Sequence, residues 1–191
     1  MSDDEFQIVA FTTNETTPTA NDILKIFLDQ HSHTIQTQSL HAISCEFSLP
    51  NIPTPKKLMM CLLSDINRTY EGINDVSFYF LFVHLENSNV QKDLELVCSY
   101  MKKYCDPSKK IFVFGILKDE LCLRKISDEN VKKILGEKFV NYKYYEINLI
   151  DKAGIGDLFL NIFLSFSPKR ENTTNIQKNE VGQHAHSCVF F

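Results

Sequence analysis

No run of about 18 consecutive apolar residues occurs in the chain, so no membrane-crossing helix is expected. An excess of cationic residues is missing too. The formal net charge is −4, which argues against nucleic acid as the main partner, because phosphate backbones call for a basic surface. Neither a Gly-x-Ser-x-Gly elbow nor a His-Glu-x-x-His helix is present, so hydrolase and metalloprotease chemistry has no foothold. The six cysteines, at positions 45, 61, 98, 105, 122 and 188, contain no C-x-x-C pair. They are expected to be small core residues of a reducing compartment rather than disulfides, except Cys188, which lies outside any plausible core. The opening MSDDEF is acidic and polar, unlike a secretory leader, which points to the cytosol.

What remains is the composition of an ordinary globular protein, with 43% hydrophobic and 23% charged residues over 191 positions. That length suffices for one domain with a well-buried core. Strand-like and helix-like stretches alternate. Residues 6–11, 39–47, 58–63, 76–85, 110–117 and 142–150 read as strands, and the unalternating run LMMCLL at 58–63 predicts burial on both faces. Apolar positions at helical spacing predict helices at 20–29, 90–104 and 155–166, with a shorter one capped by Ser127. Prolines in LPNIPTPKK predict a turn. The expected fold is α/β: a single domain over 1–166 whose six-stranded, mainly parallel sheet is flanked by helices, followed by a polar tail from 167 to 191. Ligands of such sheets gather at the carboxyl ends of the strands, at a topological switch point. His31, His33, His41 and Cys45 match no zinc spacing and read as a solvated loop and neighbouring strand.

Several stretches carry a family likeness. YEGINDVSFYFLFV at 70–83, YEINLIDKAGIGDLF at 145–159, the helix entry RKISDE at 124–129 and a cysteine-terminated tail together resemble the small GTPases of the Ras superfamily, closest to the Rab branch. The resemblance implies the G-domain fold, with GTP or GDP and Mg2+ as the family's ligands. It also implies action at the cytoplasmic face of membranes in vesicle traffic or signalling. Cys188-Val189-Phe190-Phe191 fits the C-a-a-X pattern loosely, implying a geranylgeranyl group on Cys188. One such chain gives only marginal membrane binding, so protein effectors or a soluble carrier are the implied partners.

The family's nucleotide motifs are eroded. Its phosphate loop falls on residues 12–19, where Thr12 and Thr17 replace the glycines, Pro18 replaces the lysine and Thr19 keeps the terminal hydroxyl. Asp65 stands for the aspartate of Asp-x-x-Gly, with Arg68 at the glycine position, and Thr34 or Thr37 for the first-switch threonine. Of the base-reading motif only Asp119 persists. Glycines let backbone N–H groups converge on one anion, and the lysine adds a cation. Losing about four charge-assisted bonds at about 1.5–3 kcal/mol each removes some 6–12 kcal/mol, enough to turn nanomolar affinity into millimolar or none. Thr17 as N-cap with Pro18 at the first helical position gives the segment a plain helix start, and Glu15 is a candidate stand-in for the missing anion.

The expected function is therefore that of a Rab/Ras-like pseudo-GTPase with no catalytic residues and no cofactor. Two alternatives stand beside it. One is a divergent GTPase binding GTP or GDP weakly, with Asp119 on the base and Thr19, Thr34 or Asp65 near magnesium. The other is a binding module on an unrelated doubly wound fold.

Overall fold

The computed structural model describes residues 4–13, 19–39, 41–63, 73–118 and 123–167. These form strands β1 (Glu5–Thr12), β2 (His33–Gln38), β3 (Ala42–Phe47), β4 (Lys56–Leu63), β5 (Phe78–His84), β6 (Ile111–Leu117) and β7 (Tyr142–Asn148). Between them lie helices α1 (Ala20–Leu28), α2 (Val90–Tyr104), α3 (Asp128–Lys138) and α4 (Lys152–Phe166). One sheet runs β2-β3-β4-β1-β5-β6-β7. β2, β3 and β4 are joined antiparallel, and every other neighbour pair is parallel.

The sheet thus has seven described strands where six were expected. The addition, β2, carries the polar sequence HTIQTQ and has a single neighbour, so only His33 and Ile35 are even half covered. An edge strand needs no apolar face, and that is why its pattern is silent. β4 corrects a second expectation. Lys56, Leu58, Met60 and Leu62 point into the protein, whereas Lys57 and Met59 face out, Met59 being 42% exposed. The strand begins with one face open, and only its last two residues are both buried.

Two apolar clusters cover the two faces. On one side α1 and α4 pack together over an aromatic block in which Phe163 meets Phe6, Phe27 and Phe47 at ring-centroid distances of 5.1 Å. Gly156 of α4 permits that approach, because the carboxamide of Gln30 occupies the space a Cβ would take. On the other side α2 and α3 cover Tyr79, Leu81, Val83 and Leu85. All seven residues of β5 are buried, as expected for a central parallel strand. The proline-bearing turn between β3 and β4 holds Asn51 at φ 64°, a left-handed conformation that asparagine tolerates. Among the described residues, no helix is long and apolar enough to cross a membrane.

Candidate functional site at the sheet switch point

β1 and β5 are parallel neighbours whose outgoing connections diverge: the chain leaves β1 for α1 and the β2–β4 edge, and leaves β5 for α2 and β6. This is the switch point of the sheet, and the crevice at its carboxyl end is the place where doubly wound folds hold ligands. Thr13, just past β1, closes the strand pair. Its N–H donates to the Phe82 carbonyl at 3.0 Å, and its hydroxyl accepts from the His84 N–H at 3.3 Å.

His84 ends β5 on the α1/α4 side and is 2% exposed. Its Nδ1 has no hydrogen-bond partner among the described residues. Burial pushes its pKa below the usual histidine value; nearby Glu86 pulls it up and Lys118 pushes it further down. The imidazole is accordingly neutral at physiological pH. Glu86, just past β5, and Lys118, just past β6, pair at 3.0 Å. Lys125 donates its N–H to the Leu85 carbonyl at 2.8 Å, tying the segment before α3 to the end of β5. The Arg124 guanidinium there is bonded to Glu146 and, at 3.3 Å, to the Tyr144 hydroxyl.

The first turn of α1 is closed by its own side chains. Thr19, not Thr17, is the N-cap: its hydroxyl accepts from the Asp22 N–H at 3.2 Å. The Asp22 carboxylate in turn accepts from both the N–H and the hydroxyl of Thr19, each at 2.8 Å. This reciprocal capping box places a carboxylate at the positive end of the helix dipole. Asp22 supplies a carboxylate at this helix end, the role the sequence suggested for Glu15, which lies outside the described residues. The signal was legible: T-A-N-D is a threonine followed three residues on by an acid.

Of the remaining nucleotide-site positions, the three among the described residues, Thr12, Thr34 and Thr37, do not converge. Thr12 is the last residue of β1, extended and paired with Phe82, and so belongs to the ladder rather than to a phosphate-wrapping turn. Thr34 sits on exposed β2 opposite Glu46, which pairs with Lys57 and through it with Glu5. That row lies at the start of β1, seven residues or about 23 Å from Thr12 along the strand, and three strands or about 14 Å across. Thr34 is at the wrong end of the sheet for a metal at the crevice, and Thr37, level with Gln7, is little better. Thr17, Pro18, Asp65, Asp119 and Cys188 lie outside the described residues.

At the carboxyl ends of β1, β5 and β6 the described residues bring together a buried imidazole, a buried hydroxyl and a lysine paired with Glu86. Such a set suits hydrogen bonding to a small polar group and supplies little cationic charge for a polyphosphate. No group of three or more histidine, cysteine or acidic side chains able to hold a metal occurs among the described residues. His84 had no sequence signal of its own, since it ends an apolar run and belongs to no motif. Compared with models of known protein families and with curated proteins, the chain matches none.

Proposed function

We propose that this chain is a Rab/Ras-like interaction protein that runs no GTP cycle and is carried to cytoplasmic membrane faces by a prenyl group on Cys188. The observation that carries the reading is the capping box of Thr19 and Asp22, in which a carboxylate takes the helix-end donor that a phosphate would need. A mainly parallel sheet with its first strand-to-helix connection at the switch point supports the fold-level likeness. The Glu86–Lys118 pair supports the loss of nucleotide affinity, because it neutralises the lysine just past β6.

Without a γ-phosphate to order its switches, such a protein presents a binding surface set by its own packing or by its partners. A single lipid chain holds it to membranes only reversibly, so a protein partner or carrier completes its placement. Titration with a fluorescent GDP analogue in magnesium tests the first half: no saturation through the micromolar range is expected, and micromolar or tighter binding overturns it. The mass of the protein isolated from its own cells tests the second half, where an unmodified Cys188 removes the lipid anchor.

A further inference from the structure

Away from the crevice, at the amino-terminal end of β6, the last turns of α2 and α3 bound a cavity of about 210 Å3. Met101, Ile111 and Phe139 line it, with Cys105 beside them. Val140, fully exposed, forms its lip. Lys102, Lys109 and Lys138 also line it, the Lys138 ammonium donating to the Ser99 hydroxyl at 3.4 Å. The single acid there, Asp106, is turned to its own loop, accepting from the N–H and hydroxyl of Ser108 at 2.8 and 2.7 Å. Burial pushes the Cys105 thiol up to about 12, so it is a packing group and not a nucleophile.

Size and charge select the occupant. A cavity of about 150 Å3 holds benzene, whereas sites for free drug-sized ligands run to about 300–1,000 Å3. The space here therefore fits one aromatic ring and is small for a free drug-sized ligand. Three lysines against one satisfied aspartate make a basic lining on a chain whose net charge is −4. Lysines in the last turns of α2 and α3 also offset the helix dipoles, but that role requires neither the apolar floor nor Lys109, which lies on neither helix.

We propose that this cavity docks a partner protein through one aromatic side chain flanked by acidic residues. The aromatic ring fills the space over Met101 and Ile111, and the flanking carboxylates meet Lys102, Lys109 and Lys138. The idea draws on the interaction-protein reading for its motive, but its test is independent of nucleotide affinity and of the state of Cys188.

The probe is the capped pentapeptide DEFED, titrated into the full chain labelled with 15N. Saturable shifts are expected at the amides of Val140 and Asn141. Replacing the peptide's Phe by Ala should weaken binding about tenfold or more. Neutralising its acids to Asn and Gln, or introducing Lys109→Met or Lys138→Met, should weaken it by about 1.5- to 5-fold per charge pair and flatten its salt dependence. Val140→Asp, at a fully exposed position that leaves folding intact, should abolish it. Equal binding of the Ala peptide, shifts centred elsewhere, or no binding at millimolar peptide overturns the proposal. So does a concentration-dependent doubling of mass without peptide that reproduces the same shifts, since the occupant is then a second copy.

Discussion

Gly115, in the middle of β6, leaves little room for a side chain. A Cβ built there would lie 2.5 Å from the Tyr144 hydroxyl oxygen, 3.0 Å from Leu85 Cδ1 and 3.1 Å from Tyr144 Cε2. Ordinary contacts begin near 3.4 Å, so the ring tip must retreat by about 1 Å. It is not free to do so: the hydroxyl donates to Glu146 at 3.0 Å and accepts from Arg124 at 3.3 Å. Overpacking of this kind costs about 1–3 kcal/mol, and relief from glycine's backbone entropy returns about 0.5–1 kcal/mol. Gly115→Ala should therefore destabilise by about 1 kcal/mol, within a range of about 0–2.5 kcal/mol. For a chain of this length each kcal/mol lowers Tm by about 2–4 °C.

The mechanism predicts a coupling as well. Tyr144→Phe removes the atom nearest the new methyl, so Gly115→Ala should cost at least about 0.5 kcal/mol less in that background. Urea denaturation of the four proteins closes the cycle. If Gly115→Ala costs the same with Tyr144 and with Phe there, the clash with the hydroxyl is not what the glycine avoids. The consequence reaches the crevice, because the Arg124 held by Tyr144 adjoins Lys125, whose N–H caps the Leu85 carbonyl beside His84.

Two further outcomes follow from the site itself. Thr19→Ala and Asp22→Ala should each destabilise by about 1 kcal/mol in urea and together by less than the sum, since each removes the same reciprocal box. His84 makes stability fall in acid. Its folded-state pKa lies below the unfolded value of about 6.5, so the full stability holds above that pH. It declines as pH drops through about 6.5 toward the lowered folded value, because only the unfolded chain takes up the proton there. Denaturation midpoints measured from pH 7.5 to 5 should show this slope, and His84→Leu should flatten it. An unchanged slope would assign the acid sensitivity to other groups.

Local patterning carried most of the fold. The helically spaced apolar positions of α2, the apolar runs of β1, β5 and β6, and the Ser127 cap are one-dimensional signals, and each element formed where its signal lay. β2 was hidden because an edge strand with one neighbour buries almost nothing. The open face of β4 was hidden because LMMCLL is apolar on both faces whether or not a helix covers the second.

Chemistry divides the same way. The chain alone determines that glycines and lysine are missing around Thr12 and Thr19, and that T-A-N-D can cap a helix, since both are matters of residue type and short spacing. Only the tertiary structure decided that Thr34 stands at the far end of the sheet, because strand register sums over four strands that no local pattern fixes. Only it brought Thr13, His84, Glu86 and Lys118 together from three segments, or closed a cavity between the ends of two helices and the start of β6. Burial and convergence are properties of packing, and packing is long-range.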